Sequence, residues 1–451
     1  MEIFATLIST IWNRLAGTPR SSGLRIGHEV RDGNVTRREI CIPEAKRPEH
    51  IAIVGKTGTG KSSLFRYFMS QDIGHMRGFA CIDLHGDMIP FVLANIAALE
   101  RKLGKDLSGR LLLIDPSHPK YACGLNLIGC TDASSPAVQI SEMVSLLKVR
   151  WNLDHFGART EELLRNSLWV LCENNLTLLE ISPLLTNSSF RLSLLKKVLN
   201  REVKSYFEER FNRNSEAMQK VMSEAVLNKV SSFAIDPAIR HIVGQVNSSV
   251  SLRAAIDQGL WILLGLRKAS LGDNALTFAG LFLTKLKNAI FTCTKRSLFT
   301  LYADELPNLV AADDAFAILL SEARKFSISV VSANQFLNQF TPAMKSALFS
   351  VGTSLCFEVS AEDAPFMARV LDGENSLIRT FKTLPHRHLV ARLKHFPQEI
   401  RVPNIQQPKD DFSNLVERSL MRFAKDRSQI EDEINARQPT PKTDNSLEDW
   451  Q

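Results

Sequence analysis

The sequence predicts an α/β fold, a mainly parallel sheet flanked by helices, with an all-α domain inserted into it. Three observations carry that prediction. Short uninterrupted apolar runs, among them 51–54, 78–84 and 111–115, alternate with amphipathic stretches, as strands buried on both faces do when helices cross between them. One of these runs opens directly into a glycine-rich loop and then a helix. Between about 134 and 245 the strand signal disappears, and only apolar spacings of three and four remain, the period of a helix.

In chain order, Ile3, Phe4, Leu7, Ile8, Ile11, Trp12 and Leu15 fall on one face of an expected N-terminal helix over 1–20. With only Arg14 and Arg20 as nearby cations, it suits docking on a partner or on its own domain better than a membrane surface. A peripheral contact with a membrane or a membrane protein stays open. Alternating pieces at 24–26 and 39–42 suggest a β-hairpin leading into the strand at 51–54. Further strands are expected at 78–84 and 111–115, the second ended by Pro116. Helical periodicity (Met143, Leu146, Leu147; Leu163, Leu164, Leu168; Leu194, Leu195, Val198), with caps and turns such as Asn187-Ser188-Ser189 and Asp236-Pro237, marks the insertion. Strands resume at 260–266, 297–303, 328–332 and 355–359, with an edge strand at 388–392. The expected division is therefore 1–20, 21–150, 151–245, 246–403 and 404–451, the second and fourth pieces forming one sheet domain. The last piece should hold one surface helix over 412–436 and a disordered polar tail.

The loop after the first buried strand reads Gly55, Lys56, Thr57, Gly58, Thr59, Gly60, Lys61, Ser62, Ser63. Strand, Gly-x-x-x-x-Gly-Lys-Ser and helix in that order make a phosphate-binding P-loop. The glycines let successive backbone N–H groups turn inward toward phosphate oxygens, and the helix N-terminus adds its positive field. Lys61 would supply charge to the β- and γ-phosphates and Ser62 a hydroxyl to Mg²⁺. The expected ligand is ATP with Mg²⁺. A glycine turn without a ligand is the bland alternative, and the flanking strand and helix weigh against it.

Asp304 and Glu305 end another apolar strand, at the sheet edge where the P-loop opens. Asp304 would hold Mg²⁺ through water, and Glu305 would polarise the water that attacks the γ-phosphate. Gln335 follows the strand at 328–332, where an amide would meet the γ-phosphate or its water. Arg324, in Glu322-Ala-Arg-Lys-Phe326, is placed to point away from its own P-loop, as a finger for a neighbour's nucleotide would. For Gln335 and Arg324 the alternative is a polar surface residue, and the residues alone do not decide.

At 451 residues with 44% apolar content, the chain has enough material for a large core and more than one domain. A net charge of +7 and pI near 9.0 tilt toward an acidic partner but do not demand one. The seven cysteines form no C-x-x-C pair and read as reduced core residues of a cytoplasmic protein, peripheral at most to the inner membrane. No apolar run reaches the length of a membrane span. The basic side chains Arg191, Lys196, Lys197, Arg201 and Lys204 are a solvated face or a DNA-facing rim, the former favoured.

The ordered set of the P-loop, Ile82-Asp-Leu-His-Gly-Asp87, Ala303-Asp-Glu-Leu-Pro-Asn308, Glu322-Ala-Arg-Lys-Phe326 and Ala333-Asn-Gln335 resembles the HerA/FtsK superfamily of P-loop ATPases. Within it, the chain is most similar to the type IV coupling proteins of conjugation. The resemblance spans roughly 45–400. It implies a RecA-like motor domain, a homohexamer with ATP at subunit interfaces, and DNA, single- or double-stranded, in a central channel. It also implies a relaxase or secretion-complex partner, and it supports Lys61, Ser62, Asp304, Glu305, Arg324 and Gln335 in the roles above. Many coupling proteins begin with two membrane spans, where this sequence offers the amphipathic segment. The competing expectation is a recruitment ATPase of a secretion or defence complex that pumps no DNA.

Overall fold

The computed structural model describes residues 23–129, 135–150, 158–304, 309, 313–372, 375–393 and 396–439. The expected N-terminal helix, Glu305 and the tail from residue 440 lie outside them. Among the described residues there are thirteen strands: β1 (Gly23–Arg31), β2 (Asn34–Pro43), β3 (Ile51–Val54), β4 (Gly78–Asp83), β5 (Leu111–Ile114), β6 (Tyr121–Cys123), β7 (Trp261–Gly265), β8 (Phe299–Asp304), β9 (Ile328–Asn334), β10 (Thr353–Cys356), β11 (His388–Arg392), β12 (Pro397–Arg401) and β13 (Ala424–Asp426). Eleven of them form one sheet in the order β2-β1-β12-β11-β10-β3-β9-β8-β4-β7-β5. Every neighbouring pair from β10 to β5 is parallel, and every pair from β10 out to β2 is antiparallel. This is the RecA-like mainly parallel sheet flanked by helices.

The parallel strands are mainly apolar because both their faces are covered, and the polar residues within them, such as Thr300, Ser329 and Thr353, are buried too. β3, β5 and β7 are buried at every position. One face packs on the helices Lys61–Gly74 and Met88–Leu103 through Leu64, Phe65, Phe68, Phe91 and Val92. The other packs on the helix Asp273–Thr292 and on the helical region through Leu264, Phe278, Phe282 and Leu301. The hairpin β1–β2 turns at Asp32 and Gly33, with φ of 50° and 74°. Two positive φ values in sequence match the right-handed twist of the strands they join.

From 158 to 245 no strand occurs among the described residues. The sequence caps act as read: Asn187 accepts from Phe190 N–H at 2.9 Å, and Asp236 from Ala238 N–H at 2.9 Å with Pro237 starting the helix. Arg191 departs from its expected place on a solvated or DNA-facing surface. It is buried, donates to Leu184 O, Leu185 O, Asn212 and Gln219, and stacks on Phe211.

Two other expectations are corrected. β11 is not an edge strand, because β12 pairs with its free side and the hairpin continues beyond. The single surface helix expected over 412–436 is two helices, Ser413–Phe423 and Arg427–Arg437, separated by β13, which pairs with β6. Leu415, Leu420, Ile430 and Ile434 are buried, so this segment is strapped to the body. Its first helix donates from Ser419 Oγ to Leu111 O, and Arg437 reaches buried Glu180 in the helical region at 3.1 Å. Among the described residues, no helix is long and apolar enough to cross a membrane.

Beneath the P-loop helix lies a buried ion pair. Arg47 grips both oxygens of Asp72 at 2.6 and 2.7 Å, with both side chains inaccessible to solvent. Tyr302 O–H donates to Asp72 at 2.7 Å and Arg47 also donates to Thr300, so the pair ties the approach to β3, the P-loop helix and β8 together. Asp72→Asn should lower stability by about 3–5 kcal/mol in urea unfolding, since it leaves a buried guanidinium uncompensated.

His50, the residue before β3, is held neutral. Its Nε2–H donates to Leu320 O at 2.7 Å, and its Nδ1 accepts from Val330 N–H at 3.0 Å. Burial, helped by the Arg324 charge, pushes its pKa from 6.5 down to about 4. The unfolded chain therefore binds the extra proton first as pH falls. The stability this site contributes is complete above about 6.5 and lost progressively toward 4, about 3 kcal/mol in all. A urea series across that window should show this slope in the native chain and a flatter one in His50→Gln.

Candidate functional site

The P-loop is shaped by its glycines and by the strands on either side of it. Gly58 and Gly60 hold φ of +78° and +118°, the left-handed half of the map that other residues avoid. Gly55 is needed for space, as a Cβ there would lie 2.6 Å from that of Phe357. Gly55 N–H donates to Asn334 O at the end of β9, and Lys56 N–H to Glu358 O just past β10. The loop thus continues the sheet on both sides before it curls.

Lys61 opens the P-loop helix with only 6% of its surface exposed. Its ammonium donates to Gly55 O at 2.6 Å and Lys56 O at 2.8 Å. Thr59 Oγ1 also donates to Lys56 O at 2.8 Å. The lysine is therefore folded against the loop's own carbonyls. Lys56 turns the other way and pairs with Glu358 at 2.7 Å.

Because β3, β9, β8 and β4 are parallel, their C-terminal ends meet at one edge. Thr57, Gly58, Gly60, Lys61, Ser62, Ser63, Asp304 and Gln335 line one cavity there, of about 360 Å³, a volume suited to a small ligand. Thr57 Oγ1 and Gln335 Oε1 are 2.8 Å apart, the hydroxyl donating. Gly55, Lys56 and Thr59 form the loop behind. The Ser62 hydroxyl and the Asp304 carboxylate are hard oxygen donors that line the same cavity, a donor set that fits Mg²⁺ with phosphate and water completing its shell. Among the described residues, no cluster of three or more His, Cys, Asp or Glu offers a metal cage. A cage is not what Mg²⁺ at a nucleotide requires.

Three lining residues were given no role at the site from the sequence: His85 and Asp87, which appeared only as part of the Ile82 to Asp87 motif, and His386. The first two follow β4 in the segment that Asp83 folds. The Asp83 carboxylate accepts N–H groups from His85, Gly86, Met88 and Ile89 at 2.7–3.1 Å, and Arg66 holds Asp87 at 3.1 Å. Their position after a buried strand was the available signal.

Arg324 stands apart. It precedes β9, so it sits at the sheet edge opposite the cavity, on the order of 20 Å from Gln335 by the rise of the strand between them. It is exposed and pairs with Glu49, which precedes β3, at 3.1 Å. No arginine is among the described residues that line the cavity.

Fold and site together define a P-loop nucleotide-binding architecture of RecA type. No family model and no curated protein matches the sequence, yet solved structures match its fold. The bacterial conjugative coupling protein TrwBΔN70, in an unbound form, aligns over 89% of this chain and 94% of its own, with a TM-score of 0.58 and 15% identity. VirB4 of Thermoanaerobacter pseudethanolicus aligns over 86% and 98%, at 0.55 and 15%. TrwB in complex with ADP and Mg²⁺ aligns over 88% and 92%, also at 0.55 and 15%. The chain has the fold of these proteins, and at such identity the likeness is one of fold.

Lys61→Ala should abolish nucleotide binding in a titration calorimeter while leaving thermal unfolding nearly unchanged. The substitution removes the ammonium that would meet the phosphates, together with its hydrogen bonds to Gly55 O and Lys56 O.

Proposed function

We propose that this chain is an ATPase that moves DNA, acting in a homohexameric ring with ATP between subunits. The observation that carries the reading is the separation of Arg324 from its own cavity. Lys61, Ser62, Asp304 and Gln335 converge on one edge of the sheet, whereas the arginine stands at the other, exposed and paired with Glu49. The fold shared with a conjugative coupling protein, and the bound ADP and Mg²⁺ of TrwB, support the same class.

In this reading the P-loop N–H groups and Lys61 hold the β- and γ-phosphates, and Gln335 positions the γ-phosphate or its water. Ser62, and Asp304 through water, would hold Mg²⁺, which when bound would neutralise phosphate charge. Glu305 acts as base toward the attacking water. The neighbour's Arg324 stabilises charge on the transferring phosphoryl group, an effect worth about 10³–10⁵ in rate. Thr57 links the P-loop to Gln335, which gives the loop a route for reporting the state of the terminal phosphate. DNA contact through backbone phosphates would be sequence-independent and would weaken steeply with salt.

Arg324→Ala should leave ATP affinity within a few-fold and cut turnover by orders of magnitude. Mixing it with Glu305→Ala should restore part of the activity, because some interfaces then pair an intact base with an intact finger. DNA should stimulate the native ring. Mixed rings no more active than either variant, together with turnover indifferent to DNA, would favour a recruitment ATPase that pumps nothing.

A further inference from the structure

The cavity beside the P-loop has two unlike walls. On one side of β3, the ends of β9, β8 and β4 supply Gln335, Asp304, His85 and Asp87. On the other side stand β10 and β11. β11 runs antiparallel to β10, so its approach, not its end, reaches the edge where the P-loop opens. His386 and Arg387 lie on that approach and close on the loop. His386 Nδ1 is 2.8 Å from Gly58 O, and Arg387 N–H donates to Thr59 O at 2.9 Å. Arg387 holds φ of +63°, a conformation that is unfavourable outside glycine. Its backbone lies so near Gly60 that a Cβ there would come within 3.1 Å of the Arg387 Cα.

A carbonyl oxygen only accepts, so the nitrogen facing Gly58 O must carry the hydrogen. In the neutral imidazole this leaves Nε2 as an acceptor, on a side chain that lines the cavity. Phosphate oxygens are acceptors too and offer such a nitrogen nothing. A nucleoside does, through its ribose hydroxyls and any exocyclic amine. Direction agrees with chemistry. With the terminal phosphate drawn to the Asp304 and Gln335 wall, the nucleoside end of the ligand falls toward the opposite one.

We propose that His386 is a nucleoside-binding residue. Its Nε2 accepts a hydrogen bond from the sugar or base, and its tautomer is fixed by the Gly58 carbonyl. This rests on the nucleotide-binding reading of the P-loop, and its test separates the two. Binding of ATP and of inorganic tripolyphosphate is measured by calorimetry for the native chain, His386→Ala and His386→Asn. His386→Ala should weaken ATP about five- to tenfold and leave tripolyphosphate unchanged, which also reports an intact loop. His386→Asn, able to donate to Gly58 O and still offer an acceptor, should recover part of the loss. Equal weakening of both ligands would make His386 only a prop for the loop, and no weakening of ATP would remove it from the site; either result overturns the proposal. Failure of the underlying reading looks different, since the native chain would then bind neither ligand.

Discussion

The constraint on which the rest of the structure depends is the curled backbone of the P-loop. A tight loop with two residues at positive φ is unstable alone, and here it is fixed at both margins. β9 takes the Gly55 N–H, the segment after β10 takes the Lys56 N–H, and the approach to β11 takes up the Gly58 and Thr59 carbonyls. Beneath it, the Arg47–Asp72 pair fixes the P-loop helix to β8. The central parallel strands therefore do more than form a core. They bring the ends of neighbouring strands to one edge and set the loop between them.

That geometry explains which parts were legible in the sequence. Parallel strands covered on both faces are written as mainly apolar runs, so β3, β4, β5, β7, β8 and β9 could be read within a residue or two. The P-loop and Asp304 were legible because a local motif and the end of a strand fix their position. Gln335 was readable as the residue after a buried strand, although its contact with Thr57 joins positions 278 apart in sequence. His386 carried no local signal. It reaches the P-loop only because an antiparallel strand was added beside β10, and a contact over 328 positions leaves no periodicity to read.

The misread elements have their own physical causes. β12, with the sequence Pro-Gln-Glu-Ile-Arg, shows too little apolar content to announce a strand, so β11 looked like an edge. Arg191 lay in a run of cations that resembles a solvated face. Its guanidinium instead satisfies the carbonyls of Leu184 and Leu185, a use that composition cannot reveal. The polar C-terminal segment buries only a few side chains, Leu415, Leu420, Ile430 and Ile434 among them. Ion pairs such as Arg240–Glu431 and Arg437–Glu180 hold the rest. A segment fastened largely by charge reads as surface.

The site as folded has its P-loop, the Ser62 and Asp304 oxygens and Gln335 on one edge and Arg324 on the other, an arrangement that makes sense if catalysis is shared between copies. The most direct measurement is ATPase activity per subunit over a wide dilution series, with molecular mass followed in parallel by light scattering. The account predicts that activity per subunit falls as the assembly dissociates, with nucleotide affinity largely retained. A monomer that hydrolyses ATP at the full rate at every concentration would contradict it.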